Sequence, residues 1–245
     1  MASGCEHGAE CHDGTEPSAA SAPEASRAWL LVEHPGPWPA EPTETGLPFP
    51  LGDLVALAGS LGIRVQMIRR PGRRLASDVR QVLVGWTEGG EPWLRRGELP
   101  ASAAPAGLDL RELDLKELAA GITPAFGTPV SEPVFLVCAH ARRNACCARF
   151  GAPLAQALAA RHPGQVWETT HVGGHRFAAN LVLLPHGLYY GPVGVAEATA
   201  AIGAYAEGTV LARRYRGRAG QPKPVQEAQY ERLVRDGSLE VAALA

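Results

Sequence analysis

The sequence predicts an α/β protein in which the same succession of elements occurs twice. Each half is predicted to contain a strand, a helix, a second strand, a β-hairpin and a last helix. The offset between the halves is about a hundred residues, which is too long for a solenoid repeat and typical of a duplicated domain. We therefore expect mixed β-sheet flanked by helices.

The first half begins with an apolar strand, RAWLLVEHPG, that ends in a Pro/Gly loop. The stretch LGDLVALAGSLG has apolar residues at helical spacing and stops at a glycine, so it predicts a helix. RVQMIRR is a second strand, and VRQVLVGWTEGGEPWLRRGEL predicts a hairpin around a Gly-Gly turn. LDLRELDLKELAAG completes the half as a helix with acidic residues near its start.

The second half repeats this order with different sequences. PVFLV is a strand, CCARFGAPLAQALAARHPG is a helix, and QVWETT is a second strand. The stretch NLVLLPHGLYYGPV predicts a hairpin around its Pro-His-Gly turn, and VAEATAAIGAYAEGT predicts the last helix.

This order of elements is that of the C-terminal part of the thioredoxin fold. We therefore predict two thioredoxin-like lobes, each a mixed sheet flanked by helices. The first half has Glu33 where the second has Cys138, and RRPGRR where the second has HVGGH. The N-terminal lobe is accordingly predicted to be a degenerate copy.

Four segments are predicted along the chain. Residues 1–27 are rich in Gly, Ala, Ser, Pro and Glu and have no apolar period, which predicts a disordered tail. The degenerate thioredoxin-like domain spans 28–128, and the second thioredoxin-like domain spans 129–216. Residues 217–245 are predicted to be a C-terminal extension.

The composition argues against several classes of partner. The net charge is −2 at pH 7, so no nucleic-acid or membrane surface is expected. No apolar run reaches the length of a membrane span, and the N-terminus lacks the basic and apolar regions of a secretory signal. We therefore expect a cytoplasmic protein, in which cysteines are normally reduced.

Cysteines and histidines of the second half are placed where one edge of a sheet would collect them. Cys138 directly follows the first strand, and Cys146 and Cys147 open the next helix. His171 and His175 lie in the loop after the second strand. Because the carboxyl ends of parallel strands meet at one edge, Cys138 and the histidine loop should converge if these strands are parallel neighbours.

Two thiolates and two imidazoles suit either of two cofactors. Zinc binds two cysteines and two histidines tetrahedrally, and a 2Fe–2S cluster has two histidines on one iron in Rieske proteins. The spacing matches neither the common zinc finger nor the Rieske boxes, and the glycines of HVGGH argue against a zincin-type helix. A thiol-redox protein is a third interpretation, and buried cysteines with surface histidines and no cofactor are a fourth.

The stretch from residue 134 to residue 213 resembles the thioredoxin-like 2Fe–2S ferredoxins. Its run RFAANLVLLPHGLYYGPV is similar to the segment that follows the last cluster ligand in that family. Those ferredoxins use four cysteines, whereas this chain has histidines at the last two positions. This departure, together with WLLVEHPGPW in the first half, resembles the sucrase/ferredoxin-like family, whose ferredoxin domain carries Cys₂His₂ ligation. The resemblance covers roughly residues 28 to 216.

The resemblance implies a 2Fe–2S cluster with Cys138 and Cys147 on one iron and His171 and His175 on the other. The C-x₈-C spacing of the family selects Cys147 over Cys146. Residues 129–216 would then be a thioredoxin-like ferredoxin domain, with zinc as the alternative metal.

The function that the resemblance implies is one-electron transfer, coupled to protons through the two histidines, to or from an unidentified redox partner protein. We expect an electron carrier rather than a catalyst with its own substrate. A zinc-stabilised binding or scaffold protein and a thiol oxidoreductase remain alternatives. Because all four ligands lie in the second half, residues 129–220 expressed alone are expected to keep the visible spectrum of the cluster if they fold.

Other polar residues near the ligands have weaker assignments. Arg142, Arg143 and Arg176 could offset the negative charge of a cluster, receive an acidic redox partner, or form a solvated basic face. Asn180 could form a hydrogen bond to the histidine loop. His140 is predicted to be a surface or turn histidine.

Overall fold

The structure is a computed structural model that describes residues 19–40, 51–72, 78–89, 91–100 and 113–244. Within these residues the chain is a mixed α/β protein, as the sequence predicts. The first half contains β1 (Ala28–Glu33), α1 (Leu51–Ser60), β2 (Arg64–Arg69), β3 (Val79–Trp86), β4 (Trp93–Pro100), α2 (Leu115–Ala119) and β5 (Thr128–Pro129).

The second half has the predicted elements in the predicted order. They are β6 (Val134–Cys138), α3 (Ala145–Ala159), β7 (Val166–Thr169), β8 (Leu181–Leu184), β9 (Leu188–Tyr190) and α4 (Val195–Ala206). The chain then continues with β10 (Thr209–Leu211), β11 (Tyr215–Arg218), α5 (Lys223–Asp236) and β12 (Ser238–Glu240). Short 3₁₀ helices are formed by His175–Phe177 and Val241–Leu244.

Ten strands form one continuous mixed sheet. Their order is β11-β9-β8-β6-β7-β2-β1-β3-β4-β5, and β10 pairs with β12 in a separate two-stranded sheet. The strand pairs β1–β2 and β6–β7 are parallel, and the others are antiparallel. The order β2-β1-β3-β4 in the first half therefore recurs as β7-β6-β8-β9 in the second. Antiparallel pairing of β2 with β7 joins the halves into one sheet.

The helix α2 is shorter than the sequence pattern predicts. The pattern covers residues 108–121, of which 108–112 lie outside the described residues. Asp114 caps the helix, and its carboxylate accepts hydrogen bonds from the N–H groups of Lys116 at 2.8 Å and Glu117 at 3.1 Å. An aspartate in this position competes for the first free N–H groups, so the helix begins at Leu115.

One apolar core is built by both halves, and we refer to it as the shared core. It continues across the pairing of β2 with β7 and includes Trp29 and Trp167, both fully buried. Its other buried members are Ala22, Leu31, Ile68, Leu83, Leu94, Val134, Leu136, Cys138, Cys147, Val172, Val182, Leu184, Tyr189 and Ala219. Two cysteines predicted as ligands therefore lie in a core that depends on the first half.

The prediction of a disordered tail is wrong for residues 19–27, which contact the C-terminal segment. The Ser21 N–H donates to the carbonyl of Arg216 at 2.9 Å, and the Gln226 side chain donates to the carbonyl of Ala22 at 3.1 Å. Ala22 is buried, so this part of the tail packs onto the C-terminal segment. The rest of the predicted tail, residues 1–18, lies outside the described residues.

The C-terminal segment belongs to the same structure. Strand β11 pairs with β9 and adds an edge strand to the sheet. Among the described helices, none combines the length and the hydropathy that a membrane span requires.

Candidate metal centre

Three of the four predicted ligands meet at one edge of the sheet. Cys138 ends β6, and His171 follows β7, which runs parallel to β6 with Cys138 opposite Thr169. Cys147 lies in the first turn of α3. The His171 Nδ1 atom is 3.6 Å from the Cys147 sulfur and 3.9 Å from the Cys138 sulfur. The ligand atoms of the three residues all lie within 4.8 Å of one another, so they could hold a metal ion.

His175 is close to this group but does not belong to it. It begins the short 3₁₀ helix, and its ring centroid is 6.3 Å from that of His171, with the ring planes tilted by 39°. The group that lies within 4.8 Å contains Cys138, Cys147 and His171. The role of His175 as a fourth ligand therefore stays a prediction.

The two adjacent cysteines of α3 face different surroundings. Cys147 is fully buried in the shared core beside Cys138. Cys146 packs instead against Ala178 and Phe150. Successive residues of a helix point about 100° apart, so the two sulfurs cannot approach the same side chain. Cys147, the cysteine that the family resemblance selects, is the one beside His171.

A glycine allows α3 to approach β6 closely enough to bring the two sulfurs together. A Cβ atom added to Gly151 would lie 1.8 Å from the carbonyl oxygen of Cys138. Cys147 is one turn earlier on the same side of the helix, because residues four apart are neighbours on a helix surface. The contact between Gly151 and the end of β6 therefore fixes the distance between Cys138 and Cys147.

Replacing Gly151 with alanine is expected to destabilise the protein by about 1–3 kcal/mol, because the new methyl group must displace backbone. The helix should move away from β6 and weaken metal binding. The control is Gly203→Ala in α4, where an added Cβ meets no atom within 4 Å. That change should stabilise the helix by about 0.5–1 kcal/mol. Denaturant unfolding measures both effects, and equal changes in the free energy of unfolding for Gly151→Ala and Gly203→Ala would contradict the role assigned to Gly151.

The electrostatics of the site favour a thiolate at Cys138. A hydrogen bond from Cys147 is the main influence that holds the pKa of the Cys138 thiol well below its usual value. His171 and the backbone N–H of Val172 lower this pKa further, and together they outweigh burial, which raises it. Cys147 lies near the N-terminus of α3, where the helix dipole favours negative charge. Metals bind thiolates, so a thiolate at Cys138 could serve as a metal ligand.

Two glycines shape the loop between the histidines. Gly173 and Gly174 have φ values of 97° and 68°, in the left-handed region that side chains other than glycine rarely adopt. The Asn180 side chain donates to the Gly174 carbonyl at 3.0 Å, which confirms the predicted contact of Asn180 with this loop.

Strand β2 of the first half also holds the histidine loop. The Thr170 N–H donates to the Met67 carbonyl at 3.0 Å, and the Met67 N–H donates to the Thr170 hydroxyl at 3.1 Å. The buried Gln66 amide, with its nitrogen toward β7, donates to the Thr170 carbonyl at 3.0 Å and accepts from Arg64 Nε at 3.2 Å. The sequence motifs did not predict these residues, because they lie about 100 positions from the histidines.

His140, predicted to be a surface or turn histidine, is buried beside the site. It is 1% exposed, and its Nδ1 accepts a hydrogen bond from the His171 N–H at 3.2 Å. Its ring also meets Trp38 edge-on, with centroids 5.8 Å apart. His140 is therefore a buried support of the His171 backbone and not a surface histidine. Its position two residues after Cys138, at the end of a buried strand, was the available signal.

Arginines surround the segments that carry the ligands. Arg142, Arg143 and Arg176 are exposed. The Arg176 guanidinium lies over the Phe177 ring at 4.6 Å. The surface next to the site is therefore positively charged.

Comparisons with known proteins identify one family. The model of the sucrase/ferredoxin-like family matches residues 22–217, which is most of the chain. No curated protein and no solved structure matched the sequence. The match includes all four predicted ligands and the shared core apart from Ala219.

Proposed function

The chain belongs to the sucrase/ferredoxin-like family, and from this and the site geometry we propose that it is a one-electron carrier. Cys138, Cys147, His171 and His175 would hold a 2Fe–2S cluster. The observation that supports this most is the buried pair of cysteines that faces His171 at the edge of the sheet. The recurring strand order supports two thioredoxin-like lobes, of which residues 129–216 would be the ferredoxin domain.

The chemistry of the donor set fits such a cluster. Thiolates and imidazoles are the ligands of histidine-containing 2Fe–2S centres. Cys138 and Cys147 are buried in an apolar environment, and the Val172 backbone N–H helps to lower the pKa of Cys138. Hydrogen bonds to sulfur and burial are the means by which proteins tune such centres. A bound cluster would supply the electron chemistry, and these residues would hold and insulate it.

Zinc is the second candidate, and one distance favours it. Zn–S bonds of about 2.3 Å and Zn–N bonds of about 2.0–2.1 Å at tetrahedral angles place sulfur and nitrogen about 3.6 Å apart. The His171 nitrogen lies 3.6 Å and 3.9 Å from the two sulfurs. The position of His175 outside this group suits a binuclear centre better, because a single ion would need its fourth ligand equally close.

Metal analysis of protein purified without oxygen separates the two candidates. We expect a red-brown solution with about two irons and two acid-labile sulfides per chain. Colourless protein with one zinc per chain would support the alternative of a zinc-stabilised binding or scaffold protein. Protein with neither metal, after reconstitution with iron and sulfide, would contradict both.

Two histidine ligands would couple the electron to a proton. An imidazole that binds a metal through one ring nitrogen keeps a proton on the other, and oxidised iron makes that proton easier to lose. The reduction potential should therefore fall as pH rises, by up to about 59 mV per unit for one proton per electron. Protein-film voltammetry from pH 6 to pH 10 would measure this slope. A flat profile on an intact cluster would contradict proton coupling.

An electron carrier needs a donor and an acceptor. The exposed Arg142, Arg143 and Arg176 beside the ligands favour a redox partner that docks through an acidic surface.

A further inference from the structure

Arg216 lies in β11, outside the segments that carry the predicted ligands, yet its guanidinium is buried against the histidine loop. The residue is 1% exposed. Its Nη1 donates to the Gly173 carbonyl at 3.4 Å and to the Asn180 side-chain oxygen. A Cβ atom at Gly174 would lie 2.3 Å from Nη2. The two glycines between the histidines therefore fold around this guanidinium.

The remaining contacts of Arg216 are also with neutral groups. Its Nε donates to the Ser21 hydroxyl at 3.1 Å, and Nη2 donates to the Ser21 carbonyl at 2.8 Å. The guanidinium is 4.6 Å from the centroid of the Phe177 ring and 5.7 Å from that of Tyr189. In the part of the chain that the structure describes, no carboxylate pairs with Arg216.

A buried guanidinium without a negative partner is costly, so the charge of Arg216 needs an explanation. Burial lowers the pKa of Arg216 to about 10. Tyr189 and Cys138 are the neighbours that oppose this shift. Cys138 is the predicted ligand whose thiolate the surroundings stabilise. Because Arg216 also contacts the two glycines between His171 and His175, the counter-charge that its position suits is the proposed metal centre.

We propose that Arg216 is a positioning residue that fixes the histidine loop and favours the reduced state of the centre. This inference rests on the proposed function. A 2Fe–2S centre with two thiolates and two neutral imidazoles has no net charge when oxidised and one negative charge after reduction. The charge of Arg216 is therefore neutralised only when the electron arrives. Because the group is buried, salt should screen this interaction little.

The chain offers a matched control two residues further along β11. Arg218 is also 1% exposed, and its guanidinium donates to the carbonyls of Thr87 and Leu244, while its Nε donates to the His186 carbonyl at 3.2 Å. Cys138 is not among the groups that shift the pKa of Arg218. Replacing Arg218 should therefore cost stability without changing the potential. Arg176, exposed on the same Phe177 ring, is a second control for surface charge.

The test compares reduction potentials of the full-length wild type with those of Arg216→Gln, Arg216→Lys and Arg218→Gln. Arg216→Gln should reduce the equilibrium constant for one-electron reduction about tenfold, which corresponds to a potential about 59 mV lower. Arg216→Lys keeps the charge and should recover most of this loss. Arg218→Gln should leave the potential unchanged while lowering the midpoint of denaturant unfolding. The shift in Arg216→Gln should persist at high salt, whereas any shift in Arg176→Gln should disappear.

Several outcomes would overturn the inference. An unchanged potential in Arg216→Gln, or equal shifts in Arg216→Gln and Arg218→Gln, would show that the charge has no specific role. If Arg216→Lys had the same lowered potential as Arg216→Gln, the positive charge would also have no specific role. This conclusion would hold even if Arg216→Gln bound less cluster. Wild-type protein with zinc in place of iron would overturn the proposed function as well, so the two failures are distinguishable.

Discussion

Replacing Cys147 with serine is expected to abolish the visible spectrum of the cluster, whereas Cys146→Ser is expected to preserve it. Cys147 lies beside Cys138 and has its sulfur 3.6 Å from His171, while Cys146 packs against Phe150 and Ala178. Loss of an outer-shell partner typically costs 10–100-fold in metal affinity, and loss of a ligand should cost more.

The measurement is iron and sulfide content together with the absorption spectrum, on variants purified in parallel without oxygen. Circular dichroism should show that both variants are folded. A cluster that survives in Cys147→Ser but is lost in Cys146→Ser would reverse the ligand assignment. It would also require α3 to be rotated by about 100° relative to this structure.

Residues 129–220 expressed alone are expected not to fold stably, and so not to hold the site. From the sequence, this segment is expected to keep the cluster if it folds, because every predicted ligand lies in it. The shared core, however, includes Trp29 and Ile68 of the first half, and β7 pairs with β2. Truncating a single large core residue costs about 3–5 kcal/mol, against a total stability of about 5–15 kcal/mol. Loss of the whole first half should therefore exceed what the second half can supply.

A nicked full-length protein is the control for this experiment. Ile122 is exposed in the segment between α2 and β5, so a protease site inserted after it can be cut in the folded protein. The two pieces should stay associated through β2 and β7 and keep the site. A soluble, cooperatively unfolding fragment with metal bound would show that the second half is an independent domain. Loss of metal after the cut would instead show that the intact connection between α2 and β5 is needed to keep the site.

The convergence of Cys138, Cys147 and His171 was predictable from sequence, because it depends on local patterns. A parallel strand–helix–strand unit brings the ends of its strands to one edge, and the ligands follow those ends directly. The choice of Cys147 over Cys146 was implied by the C-x₈-C spacing of the family that the sequence resembles. These features follow from residues within about 35 positions of one another.

The supports of the site were not predictable from the same patterns. Gln66 and Met67 reach the loop because β2 pairs with β7, and Arg216 reaches it because β11 pairs with β9. The sequence of β2 is that of an ordinary apolar strand, so nothing in it indicates that this strand pairs with β7 of the other half. His140 was misjudged for a related reason, since its burial depends on Trp38 in the other half.

Pulsed EPR on the reduced protein with ¹⁵N-labelled histidine shows directly whether the two histidines bind iron. We expect hyperfine coupling from two histidine nitrogens to the reduced iron, one of which disappears in His175→Ala while the His171 coupling remains. A reduced 2Fe–2S signal without any histidine nitrogen coupling would contradict the assignment of His171 and His175 as ligands.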